Sequence, residues 1–92
     1  MVKVPIRIRQ KVKDGNFVIS NHCRVELAVD AFSGQDAIAA ILNAVECDKL
    51  TDDESHVRYV IYGQARDGRL LDVVVMIHQG TVIVKTAYES FS

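Results

Sequence analysis

The groups able to move a proton, hold an anion or bind a metal are few in this 92-residue chain: three histidines, two cysteines and a scatter of arginines, tyrosines and acids. His22 stands out by position. Ser20 or Asn21 offers a helix N-cap, which puts the imidazole in a first helical turn. The positive end of a helix dipole disfavours a further positive charge there, which suits a neutral general base or hydrogen-bond acceptor. The free N–H groups of the same turn can hold a phosphate. The plainer alternative is a histidine that caps or packs at a helix start. A second set is Arg58, Tyr62, Asp72, His78 and Lys85. On one face they would offer cations for a phosphate, an aromatic for base stacking and groups for proton transfer. Their alternative is a set of cross-strand ion pairs, each worth about 0–1 kcal/mol. His56 lies in a polar stretch and reads as surface.

Other chemistries find little support. Cys23 and Cys47 read as free, buried thiols, since the chain shows no secretory leader. Cys23 adjoins His22, but no C-x-x-C or H-x3-H spacing occurs, so neither a metal nor a cofactor is expected. No serine elbow, phosphate-cradling glycine loop, H-E-x-x-H or nucleotide fingerprint is present. A net charge of −1 argues against a duplex-DNA binder that works by neutralising phosphates. Positive charge is instead local, in Lys3, Arg7, Arg9, Lys11 and Lys13, and is answered by the acidic run Asp48, Asp52, Asp53, Glu54. This is either a solvated strand face and a solvated loop, or a basic edge able to meet RNA or an acidic partner.

The elements that must position these groups follow from periodicity. Val4, Ile6 and Ile8 alternate with Pro5, Arg7 and Arg9, predicting a strand that Pro5 confines to a sheet edge or outside the sheet. Asp14-Gly15-Asn16 is a turn signal, and Phe17-Val18-Ile19 a short extended piece. Cys23, Leu27, Ala28 and Ala31 share one face of a first helix. Ser33 and Asp36 form a capping box for a second helix, Asp36 to Val45, with the apolar stripe Ile38, Ile41, Leu42, Val45 and small alanines permitting close approach to a sheet. These two helices read as a hairpin. After the polar stretch Asp48 to His56, strands are predicted over about Val57–Gln64, Arg69–Ile77 and Thr81–Tyr88, with turns at Asp67-Gly68 and Gln79-Gly80.

A two-residue turn at Gln79-Gly80 sets Ile77, Val75, Val73 and Leu71 opposite Val82, Val84, Thr86 and Tyr88 on a dry face. For the preceding strand, a two-residue Asp67-Gly68 turn would bury Arg58, Val60 and Tyr62. A three-residue Arg66-Asp67-Gly68 loop with a bulge puts Arg58 and Tyr62 beside Asp72 on the wet face. Burying Arg58 against an aliphatic wall is costly, so the bulged register is preferred. The expected fold is therefore α+β: a two-helix hairpin on one face of a three- to four-stranded antiparallel meander. A single domain covers residues 1–92, with 1–16 an N-terminal arm or edge strand and 17–90 the core. The longest apolar run, Val73 to Ile77, falls far short of the roughly 20 residues a membrane helix needs, so a cytoplasmic location without membrane contact is expected.

The order of elements adds a further signal. A histidine opening a helix in Ile19-Ser20-Asn21-His22, the strand Val57-Arg58-Tyr59-Val60-Ile61-Tyr62-Gly63, the segment Asp67 to Val75 and the closing Val82-Ile83-Val84-Lys85-Thr86-Ala87-Tyr88 together resemble the bacterial domain-of-unknown-function 4258 family. The resemblance covers about residues 17 to 90. It implies a fold similar to RelE/ParE-type toxins and related small ribonucleases, whose members often act in toxin–antitoxin systems. Carried over by position, the family's histidine is His22, its arginine-aromatic pair Arg58-Tyr59, and its terminal T-x-Y Thr86 and Tyr88. Where the family often has a basic residue four after the histidine, this chain has Glu26, with Arg24 basic two after it. Two functions follow as expectations. One is a metal-independent ribonuclease with His22, Arg58 and Tyr88 as catalytic groups and Arg24, Tyr59, Tyr62, Asp72, Lys85 and Thr86 binding. The other is a non-catalytic module of the same fold, paired with a cognate antitoxin, another protein, or a second copy through edge strands.

Overall fold

Two turns set the register of the sheet in a computed structural model of the chain, which describes residues 1–51 and 57–90. The elements are β1 (Val2–Lys3), α1 (Ile6–Lys13), β2 (Phe17–Ile19), α2 (Asn21–Val29), α3 (Gly34–Asn43), β3 (Glu46–Thr51), β4 (Val57–Gln64), β5 (Leu70–His78) and β6 (Thr81–Glu89). Gln79 and Gly80 both have positive φ, 50° and 80°, and form a two-residue turn closed by the pair His78 and Thr81. At the other hairpin the Ala65 N–H donates to Arg69 C=O and the Gly68 N–H to Ala65 C=O, leaving Arg66-Asp67-Gly68 as a three-residue loop. Gly68 there takes φ +92°, the left-handed conformation of a bulged loop. The bulged register therefore holds: Arg58 pairs with Met76 and Tyr62 with Asp72, while Tyr59, Ile61 and Gly63 join Val75, Val73 and Leu71 on the buried side.

The architecture is α+β, but larger than the sequence suggests. The sheet has six strands in the order β1-β3-β4-β5-β6-β2, antiparallel except where β2 runs parallel to β6. Three helices are described instead of two. The stretch expected to be a strand from Val4 is helix from Ile6, because Val4, Ile8 and Val12 lie four apart and are all buried, whereas Ile6 is exposed. Asp14-Gly15-Asn16 is the end of that helix. Gly15 at φ +78° lets its own N–H reach Val12 C=O and the Asn16 N–H reach Lys11 C=O. The start of the expected polar loop is β3, in which only Cys47 is buried among Glu46, Asp48 and Lys49, too sparse an alternation to read. His56 and the acids Asp52, Asp53 and Glu54 lie outside the described residues.

The second correction is a bulge in β6. Val75 pairs with Val84, but Val74 pairs with Thr86, so Lys85 is the extra residue. Beyond it the faces exchange. Ala87 turns into the core, while Thr86 and Tyr88 leave the expected dry face to join Val74 and Asp72.

The core joins the helices to one sheet face. Ile8 and Val12, Cys23 and Leu27, and Ala37, Ala40, Ile41 and Ala44 form one cluster with Tyr59, Ile61, Leu71, Val73, Val75, Val82, Val84 and Ala87. The small alanines of α3, and not the expected Leu42 and Val45, face the sheet. They approach so closely that a Cβ on Gly63 would stand 2.0 Å from the Ala40 carbonyl oxygen. Val60 and Met76 on the opposite face are buried but belong to no helix contact of this cluster.

Candidate functional site

The bulge in β6 is where α2 begins, and one side chain joins the two. The Ser20 hydroxyl accepts the Cys23 N–H at 3.0 Å, capping α2, and donates to the Lys85 carbonyl at 3.0 Å. The Ser20 N–H donates to Val84 C=O, so the helix starts where β2 stops pairing with β6. One turn on, Glu26 performs three tasks. Its Oε1 accepts the Thr86 hydroxyl and the Ala87 N–H, and its Oε2 lies 3.4 Å from His22 Nε2. Asp30 continues the pattern by accepting the Glu89 N–H at 3.5 Å. Carboxylates from α2 thus occupy the β6 edge that β2 leaves unpaired.

At the α2–β6 junction exposed His22, Glu26 and half-buried Thr86 meet, with exposed Lys85 adjoining Thr86 in the chain and Tyr88 two residues further along the same sheet face. Four of these were singled out in the sequence. Glu26 was noted there only as a departure from the family pattern. Its spacing of four from His22 is the signal that could have placed the two side chains on one helix face.

The sheet face away from the helices brings together another part of the expected set. Tyr62, Asp72 and Tyr88 pair across β4, β5 and β6 in one row. The Tyr62 hydroxyl donates to Asp48 at 2.5 Å, and this bond, with burial and the nearby charges of Asp48 and Asp72, pushes the phenol up to about 12. Burial raises the Asp72 carboxyl, although a Ser90 side-chain hydrogen bond works the other way, and its Oδ1 is buried without a hydrogen-bond partner among the described residues. A cleft of about 470 Å³ opens beside this row, lined by Glu46, Tyr62, Asp72, Asn43 and Ser90 among others.

Other expected residues stand apart. Arg58 projects from β4, two strands or about 10 Å across the sheet from β6. None of the three described cavities is lined by both His22 and Arg58. Tyr59 is buried on the helix side, its hydroxyl accepting from Arg7 at 3.4 Å, so it presents no ring for stacking. His78 ends β5, paired with Thr81 beside the turn. Arg24 lines a separate cavity between β2, α2 and α3. Both thiols are free and buried: burial and then Glu26 push Cys23 up to about 11, and burial and Asp48 raise Cys47. Among the described residues no group of three or more His, Cys, Asp or Glu is arranged to hold a metal ion.

This is an α+β domain in which a helix-opening histidine is tied to the last strand of a mainly antiparallel sheet. The sequence pattern of the domain of unknown function DUF4258 matches residues 19–89, and the chain belongs to that family. No curated protein and no solved structure matches it. No helix of the described residues is long and apolar enough to cross a membrane.

Proposed function

We propose that this domain is a small toxin-like ribonuclease that cleaves RNA without a metal ion, with its site at the β6 bulge. The observation that carries the reading is the convergence of His22 with Thr86 around Glu26, from segments 60 residues apart in sequence. In the proposed reaction His22 takes the proton of a ribose 2′-hydroxyl, and O2′ bonds to phosphorus. The P–O5′ bond breaks, and the departing oxygen takes a proton from Tyr88, leaving a 2′,3′-cyclic phosphate. Solvent then restores both groups. Glu26 holds the imidazole through Nε2, leaving Nδ1 for the substrate. The Lys85 ammonium stands against the developing phosphorane charge, and Arg58, two strands away, meets a neighbouring phosphate. Tyr62 and Asp72 border the path across the sheet. The expected outcome is RNA cleavage in EDTA by the wild type, lost in His22→Ala and reduced at least tenfold in Lys85→Ala, with both variants folded. Unchanged cleavage in His22→Ala would sink the assignment.

A second reading, a non-catalytic module that binds an antitoxin-like protein, is favoured by a different observation. Val18, Leu50, Leu70 and Tyr88 are 44–53% exposed on the sheet face that no helix covers among the described residues. The face is a better candidate than the edges. β1 and β2 have only two and three residues, and α2 covers much of the rest of β6. Sedimentation at high concentration decides its homomeric form: association abolished by Leu50→Asp supports it, and a strict monomer counts against it.

A further inference from the structure

The cavity beside Arg24 is independent of the proposed RNA site and has its own chemistry. It is an open hollow of about 570 Å³, within the volume range of small-ligand sites, which are mostly apolar with a few placed polar groups. Phe17, Ile19 and Ile38 supply the apolar lining, and Arg24, Arg66 and the first turn of α3 at Gly34 the polar part; no carboxylate lines it.

The two arginines differ. Arg66 is committed: its Nε donates to Asp36 at 3.0 Å, Nη1 to Gln35 Oε1 at 2.6 Å and Nη2 to Ser33 Oγ at 3.1 Å, so Asp36 offsets its charge. The Arg24 side chain makes no hydrogen bond or ion pair among the described residues, its backbone N–H alone donating to Ser20 C=O. It lies close over Gly34, where a Cβ would stand 3.3 Å from Arg24 Nη1 and 2.9 Å from Ile19 Cδ1. The cavity therefore presents one uncompensated guanidinium above an apolar floor, with the positive end of α3 at its rim. One free positive charge fits one negative charge. The planar fork of a guanidinium fits a carboxylate.

We propose that this cavity binds a small amphiphilic monocarboxylate, its apolar body against Phe17, Ile19 and Ile38 and its carboxylate on Arg24. The test is an NMR titration of the full chain with decanoate below its micelle concentration, beside decanol as the uncharged control. The expected result is saturable binding with shifts centred on Ile19, Gly34 and Ile38, weakened at least tenfold in Arg24→Gln and in decanol. Ile38→Glu, which sets a carboxylate in the cavity, abolishes it as well. His22→Ala leaves it unchanged, so its success or failure is separate from that of the ribonuclease reading. Absence of saturable binding, equal affinity in Arg24→Gln, or shifts mapping to the open sheet face would overturn the proposal.

Discussion

Single carboxylates decide much at the residue scale, and their surroundings give them opposite consequences. Burial would raise the Asp36 carboxyl. The Ser33 N–H, the Arg66 guanidinium and the Arg66 backbone N–H outweigh that and bring it down to about 2. A carboxyl lowered by folding stabilises the fold above its ordinary range, and the contribution fades as pH falls from about 5 towards 2. Asp36→Asn should therefore cost about 2 kcal/mol at pH 7, with the difference from wild type shrinking towards pH 2 in urea melts. Asp72 has the reverse sign. Burial raises its carboxyl, so its ionised form is a cost at neutral pH that protonation removes. Asp72→Asn should be more stable than wild type at pH 7, and urea melts should show this gain vanish in acid. Of the candidate residues, the placement of Arg58, Tyr62 and Asp72 was legible, because the cost of burying a guanidinium chose between two registers. The placement of Thr86 and Tyr88 was not, since nothing in Val84-Lys85-Thr86 distinguishes a bulged strand from a regular one. The bulge coincides with a change of neighbour, from β2 to the Ser20 and Glu26 side chains, and that is a tertiary event.

Among the elements, the three long strands and the α3 capping box were readable because their signals are local: alternation, Gly at positive φ, and Ser33 three before Asp36. The first helix was misread because Val4, Ile6 and Ile8 fit a strand while Val4, Ile8 and Val12 fit a helix. Pro5 suits the residue before a helix as well as an edge strand. β3 escaped because its burial rests on Cys47 alone. The end of α2 carries a testable cost. Ala31 has φ 61°, and its N–H reaches Ala28 C=O while the Phe32 N–H reaches Leu27 C=O, a helix ending that glycine usually provides. Ala31→Gly should raise stability by roughly 1 kcal/mol. Thermal melts showing a loss instead would mean that this ending is not formed in solution.

On the scale of the molecule, one sheet face holds the core and the other carries most of the candidate residues. A balanced charge, −1 overall, provides no broad basic field, so on the proposed ribonuclease reading RNA binding would rest on single cations such as Lys85 and Arg58. The ribonuclease reading accordingly predicts weak, salt-sensitive cleavage. The most direct measurement is cleavage of a short single-stranded RNA in EDTA by the wild type and by His22→Ala, with circular dichroism confirming that both are folded. The expected result is 2′,3′-cyclic phosphate products from the wild type and none from the variant. Equal cleavage by the two proteins, or none by either, would contradict it, and the uncovered sheet face would then be the surface to pursue.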